Sequence, residues 1–226
     1  MISIIVPTRN ERESIKIFIE KLAKIKKQLD EKIELIVSDI STDDTREIAR
    51  KWMKKYRIRG KVVKCPARGK GLGIIYSAKF ARGDKLFMID VDLQYPLESI
   101  IKINKKMDES DADVVLTKRL RKDPIIRRVL GYAYKLIVRL LFLMPYDTQS
   151  TTRMVKTSIW KKVENRIRST GWSWDAELIY LLKKEGAKIV EVPLRYGIRK
   201  ADKSKISAKS IISMFIEILR IRLRYL

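Results

Sequence analysis

The segment ISIIVP, residues 2–7, runs apolar with no period-two alternation. A strand written this way is buried on both faces, so it belongs to a sheet covered by helices above and below. The next hundred residues repeat the theme. Asn10 precedes a helix with Glu13 three residues on, which predicts a capping box. Ile15, Phe18, Leu22, Ile25 and Leu29 then recur at helical spacing. IELIVSD (33–39) reads as a second strand. TDDTREIARKWMKKY reads as a second helix, with Asp43, Asp44 and Glu47 near the positive end of its dipole. KVVKC (61–65), KLFMID (85–90) and DVVLTKR (113–119) supply three more strands. Helices are predicted over IIYSAKFA and over 97–109, and ARGKGLG reads as a flexible turn, too loose for a Walker loop. Strands alternating with helices predict an α/β chain with a mostly parallel sheet flanked by helices.

The second half changes character. IIRRVLGYAYKLIVRLLFLM (125–144) is long, apolar and basic, with no acidic residue. GWSWDAELIYLLKKEG reads as a helix closed by Gly186, and KIVEVPLRY (188–196) as a late strand. The tail, 207–226, reads as an amphipathic helix. Ile211, Phe215, Ile218, Leu219, Leu223 and Leu226 line one face; Lys209, Ser213, Glu217, Arg220 and Arg224 line the other. The expected organisation is a unit over 1–206, including an interfacial helix at 125–144, and an appended basic helix over 207–226.

Residue counts exclude whole classes of chemistry. The chain has no histidine, which removes hydrolases with a histidine base and zincins. A single cysteine, Cys65, excludes an internal disulfide and a cysteine zinc cluster. The formal charge of +24, from 51 basic and 27 acidic residues, attracts polyanions: nucleic acid, anionic lipid or phosphorylated substrates. No signal peptide and no uninterrupted apolar span are read, so a cytoplasmic protein able to rest on a membrane is expected. Abundant Ile, Lys and Arg point to a thermophile.

LFMIDVDLQYPLE, residues 86–98, ends a buried strand on Asp90 and Asp92. A polar turn is the plain reading. The sharper one is a hard divalent cation, Mg²⁺ or Mn²⁺, held by Asp90 and Asp92 with Gln94 and shared with phosphate oxygens. A second Asp-x-Asp, Asp111 and Asp113, falls at the amino end of its strand. Ligands of open α/β sheets collect at the carboxyl ends, where Pro7, Thr8, Glu11, Asp39, Ser41 and Arg119 also fall. Convergence of several strands on one rim favours the first pair.

IIVPTRNERE, IVSDISTDDT, ARGKGLG, FMIDVDLQYPLE, SWDAELI and VEVPLRYGIRKADKSK together resemble the inverting family 2 glycosyltransferases of GT-A (Rossmann-like) fold, in order over residues 2 to 206. The polyprenyl-phosphate (dolichol-phosphate) mannose or glucose synthases are the nearest type. The resemblance implies that Pro7, Thr8, Glu11 and Asp39 hold the nucleoside of a sugar donor of the GDP-mannose or UDP-glucose type. By the same resemblance Asp90, Asp92 and Gln94 hold metal and diphosphate. Arg119, Arg127, Arg199 and Lys205 surround the acceptor and donor phosphates, and Ser150 and Glu177 lie near the transferred sugar. Departures stand at Ser38-Asp39-Ile40, where the family pairs aspartates, and at Ser150-Thr151-Thr152, where it reads Ser-Gly-Phe. The first bears on base preference, the second on sugar and acceptor. Larger members add transmembrane helices after the catalytic part; this sequence stops at Leu226.

A lipid phosphate fits the missing histidine. Its second pKa is near 6, so its oxygen attacks the anomeric carbon without a general base, given positioning and charge neutralisation. A hydroxyl acceptor needs a carboxylate base, for which Asp147, Asp175 and Glu177 are candidates. The apolar, basic segments 125–144 and 207–226 suit an anionic membrane interface on the cytosolic side. Trp172 and Trp174 are read as packing more than as sugar platforms. The alternative is transfer to a saccharide or protein hydroxyl; from another class, a nucleic-acid-binding protein exploiting the charge ranks below both, since no recognised nucleic-acid motif is read and no nucleic-acid partner is expected.

Overall fold

A computed structural model describes residues 1–66, 69–120, 125–148, 150–169, 171, 173–195, 197 and 208–226, the side chains of 125–130 and 208–214 excepted. The strands are β1 (Ile2–Thr8), β2 (Ile33–Asp39), β3 (Gly60–Lys64), β4 (Lys85–Met88), β5 (Val114–Leu120), β6 (Arg153–Lys156) and β7 (Ile189–Arg195). The helices are α1 (Arg12–Ile25), α2 (Thr45–Lys55), α3 (Lys70–Ala78), α4 (Ser99–Ser110), α5 (Ile125–Phe142), α6 (Thr157–Val163), α7 (Trp174–Lys184) and α8 (Ala208–Arg224). The strands form a single seven-stranded sheet in the order β3-β2-β1-β4-β6-β5-β7. Every pairing is parallel except those of β6, which runs antiparallel between β4 and β5.

Alternation along the strands sends side chains to two cores. Ile2, Ile4 and Val6, with Leu35 and Val37, face α1, α2 and α4, where Ile15, Phe18, Ile19, Leu22 and Ile103 cover them. Ile5, Ile36, Leu86 and Met88 face the opposite layer of α3, α5, α6, α7 and α8. Both faces are therefore dry, which is why the strands read as continuous apolar runs. Ile218 and Ile221 of α8 belong to this second core, with no exposure at all.

Five local expectations are corrected. Asn10 does not cap α1: Glu11 is the N-cap residue, and Asn10, at φ +55°, turns its Oδ1 to accept from the Thr42 amide at 2.9 Å. The loop-to-loop bond outcompetes the local box. α1 stops at Ile25, so Leu29 packs from beyond its end. α2 opens at Thr45, because Asp43 accepts from the Thr45 amide and hydroxyl and holds the preceding residues in a turn. The glycine loop is in part helix: α3 begins at Lys70, so Gly71 and Gly73 lie in its first turns. On α8, Glu217 and the exposed Arg224 bond α7 and the turn before it rather than facing solvent alone. Glu217 accepts from the Ser173 amide, and Arg224 pairs with Glu177 at 2.7 Å. Among the described residues no helix is long and apolar enough to cross a membrane.

Candidate active site

The parallel strands aim their carboxyl ends at one rim, and the reversed β6 adds its amino end to it. The register Met88–Arg153–Leu116 fixes this, placing Arg153 between the end of β4 and the middle of β5. Residues from strands, helices and loops meet along the rim.

At the β1–β2 side, Asp39 is fully buried and receives the Thr8 hydroxyl (2.9 Å), the Ser41 hydroxyl (2.6 Å) and the Arg46 guanidinium (2.8 Å). Pro7 is paired with Ser38 across the two strands. Glu11 accepts from the Ser14 hydroxyl at 2.7 Å, and its amide bonds Thr45 at 3.0 Å. The four residues expected to hold a nucleoside thus share one short arc. Arg46 and Thr45, which the sequence gives no reason to single out, complete it.

At the centre, Asp90 lies just past β4. One carboxylate oxygen meets the Lys70 ammonium, and the other accepts from the Thr151 hydroxyl at 2.6 Å. Burial pushes the Asp90 carboxyl up, but Lys70, Thr151 and the nearby Arg153 guanidinium more than offset it and hold it below the ordinary range. Asp92 accepts from the Gln94 amide, a turn that carries Leu93 into the left-handed region at φ +52°. The Gln94 carbonyl in turn receives the Gly197 amide at 2.7 Å.

Behind Asp90 sits a fully buried arginine. Arg153 pairs with Asp175, bonds the Ser150 carbonyl, and lies 5.3 Å from the centroid of the Trp174 ring. Burial raises the Asp175 carboxyl above its ordinary range, with Arg153 opposing. Gly71 lets α3 approach this stack, since a Cβ there would fall 2.7 Å from Trp174 Cγ. Ser150 bonds the Tyr95 hydroxyl at 3.0 Å and shares a hydrogen bond with Thr117, a closed polar chain.

At the β5 end, Asp147 holds two cations, Arg119 at 3.1 Å and Lys135 at 3.3 Å. Burial pushes the Asp147 carboxyl up, but these two cations bring it below the ordinary range. Glu177 is fully buried and saturated: it receives the Arg168 and Ser169 amides, Arg224 and the Tyr225 hydroxyl. In this geometry it ties α7 to α8. Arg199 and Lys205 lie outside the described residues, as do Trp172 and the side chain of Arg127.

The donor set suits a hard cation shared with a ligand. Among the described residues no group of three or more His, Cys, Asp or Glu stands together to hold a metal alone. Two carboxylates at a strand end are what Mg²⁺ or Mn²⁺ takes when phosphate and water oxygens fill the remaining positions. A cation already sits on Asp90, the Lys70 ammonium. Lys70 and Arg153 escape sequence reasoning, because single cations carry no signal in a chain with 51 of them.

The arrangement has relatives. Dolichol-phosphate mannosyltransferase of Pyrococcus furiosus is 26% identical over 226 residues, covering 97% of this chain and 63% of that protein. The chain thus spans under two thirds of the Pyrococcus protein's length. Dolichol-phosphate mannosyltransferase of Saccharomyces cerevisiae is 28% identical over 225 residues, covering 93% of this chain and 82% of that protein. Among solved structures, glucosyl-3-phosphoglycerate synthase from Mycobacterium tuberculosis, in complex with Mn²⁺, UDP and phosphoglyceric acid, superposes with a TM-score of 0.74. It is 18% identical and covers 99% of this chain and 78% of that one. That likeness gives the chain the GT-A fold. The family model of Glycosyl transferase family 2 matches residues 3–154, from β1 through the first half of β6, and the chain belongs to that family.

Proposed function

We propose that the protein transfers a hexose from a nucleoside diphosphate sugar to a polyprenyl phosphate, with inversion. One observation carries the choice of acceptor. The three carboxylates that would serve a hydroxyl acceptor as general base are each engaged by cations of the protein: Asp147 by Arg119 and Lys135, Asp175 by Arg153, Glu177 by Arg224. A phosphate acceptor needs none of them. It arrives ionised, and it needs positive charge where it binds. Arg119 and Lys135, both gathered at Asp147, place positive charge on that part of the rim.

Donor residues follow the rim. Thr8, Glu11 and Asp39 border the nucleoside. Asp90 and Asp92, with Gln94 beside them, hold Mg²⁺ or Mn²⁺, which when bound neutralises the departing diphosphate as a Lewis acid. The protein's own part is orientation. Thr151 and Lys70 fix the Asp90 carboxylate, Arg153 anchors the turn that carries Thr151, and the Thr117–Ser150–Tyr95 chain stiffens the wall on the acceptor side.

The acceptor's lipid tail requires an apolar approach. Tyr132, Leu136, Leu140 and Leu143 form an exposed stripe on and just after α5, and Ile216, Leu219, Leu223 and Leu226 form another along α8, which packs on it. Arg139 and Arg220 are exposed beside them. Helices of this kind lie in an anionic membrane interface, here the cytosolic leaflet. Helix α8 is then less an appendage than the outer layer of the catalytic unit.

The test has two stages. Thermal shift against GDP-mannose and UDP-glucose, with and without Mn²⁺, is expected to show stabilisation by one donor that requires the metal. Transfer to a short-chain polyprenyl phosphate is then compared with transfer to saccharide hydroxyls. No metal-dependent stabilisation by any donor, or transfer to hydroxyls alone, overturns the reading.

A further inference from the structure

We infer that Lys70 is an exchangeable counter-ion: it occupies Asp90 until metal and donor arrive together, then moves its charge to the donor's diphosphate. The inference rests on the reading of Asp90 and Asp92 as the cation-holding pair, and goes beyond it by naming what holds that pair beforehand and in what order the ligands enter.

Charge balance carries the argument. At the centre of the rim, among the described residues, Lys70 stands on Asp90 and Arg153 on Asp175. Arg153 has no freedom to leave: it is fully buried, packed on Trp174 and bonded to the Ser150 carbonyl. Lys70 differs in every respect. Its side chain is 32% exposed, it carries a flexible four-carbon stem, and it is the first residue of α3. Of Lys70 and Arg153, the described cations near Asp90, Lys70 is the one able to change seats.

With Lys70 in place, a divalent ion alone meets an Asp90 carboxylate whose charge is already neutralised. Its binding is therefore weak. A diphosphate removes the obstacle by offering Lys70 a better partner. The amino end of α3, where the first amides have no acceptor within the helix, favours an anion at the same place. Gly71 keeps that end close to the site, since any side chain there would strike Trp174. Lys70 thus vacates Asp90 as the anion enters, and the vacated oxygen becomes available to the metal. Two binding events that oppose each other in sequence become cooperative together.

The experiment measures Mn²⁺ binding to the full chain by electron paramagnetic resonance, without nucleotide, in wild type, Lys70→Met, Lys70→Arg and Asp90→Asn. Lys70→Met is expected to bind Mn²⁺ alone about tenfold more tightly than wild type. Lys70→Arg, which keeps the charge, is expected to resemble wild type. Calorimetry with UDP or GDP in the presence of Mn²⁺ is expected to show the nucleotide about tenfold weaker in Lys70→Met. Unchanged or weaker Mn²⁺ binding in Lys70→Met overturns the inference. Asp90→Asn separates that failure from the wider one. If it abolishes Mn²⁺ binding, the metal reading stands and Lys70 alone is misassigned; if it leaves Mn²⁺ binding intact, both fall.

Discussion

At the scale of single residues, burial decides which charges are structural. Arg153 has Nε and Nη1 without hydrogen-bond partners among the described residues, so its one ion pair with Asp175 bears most of the cost of its desolvation. Removing one member of such a pair strands the other. Arg153→Met is therefore expected to destabilise the protein by roughly 3–5 kcal/mol, a loss of about 10 °C in melting temperature. Arg153→Met combined with Asp175→Leu is expected to recover most of that, because neither charge then remains buried. Thermal melts of the two variants check it, and a single variant as stable as wild type refutes the buried pair. The sequence shows part of this site. Asp90 and Asp92 draw attention only through the convergence of several strand ends on one rim, since the pair by itself reads equally well as a polar turn. Lys70 draws none, since its meaning comes from a helix that starts inside a loop with glycines on either side. Arg153 is hidden further, because the strand it opens is itself unread.

Secondary-structure elements were legible in proportion to their apolar length. β1, β2 and β4 are continuous runs with helices between them, and their places agree with expectation to within a few residues. β6 is four residues long, opens on an arginine and runs straight into α6, so neither periodicity nor a turn signal marks it. The helix boundaries that moved did so for side-chain reasons, as at Asn10 and Asp43, where hydrogen bonds between loops beat local capping patterns. Glycines sort by the same logic of surroundings. Gly71 in α3 has Trp174 within 2.7 Å of a would-be Cβ, while Gly131 in α5 has nothing within 4 Å. Gly71→Ala is expected to lower stability by roughly 1–3 kcal/mol through overpacking. Gly131→Ala is expected to raise it by up to about 1 kcal/mol through helix propensity. Urea titrations of the two variants read opposite signs if α3 and α5 sit as described, and equal signs if they do not.

Across the whole molecule, the strand order was beyond reach of the sequence. Inserting β6 and β5 between β4 and β7 depends on pairings remote along the chain, and local pattern carries no record of them. The net charge of +24 was legible, and it bears on stability as well as on partners. A chain so basic loses its few restraining carboxylates in acid, and the amino end of the sheet holds a cluster of them. There Glu31 receives Lys85 at 2.6 Å and Asn104 at 3.1 Å, while Lys85 also reaches Asp108 at 2.7 Å. The cluster ties the start of β4 to α4 and to the turn before β2. Burial pushes the Glu31 carboxyl up, but Lys85, the Met1 ammonium and Asn104 outweigh it and bring it from 4.5 to about 2. A folded-state value below the unfolded one means that the native state holds the carboxylate ionised while the unfolded chain takes up its proton. The stabilisation from Glu31 is thus complete above about pH 4.5 and is lost as the pH falls toward 2. Urea unfolding at pH 7, 4.5, 3 and 2 is expected to show wild type weakening across the last three points. Glu31→Gln, less stable than wild type at pH 7, is expected to weaken less steeply over the same interval, so that the two curves converge in acid. Parallel curves would mean that the proton linkage resides in other carboxylates, and that this end of the sheet is held by packing alone.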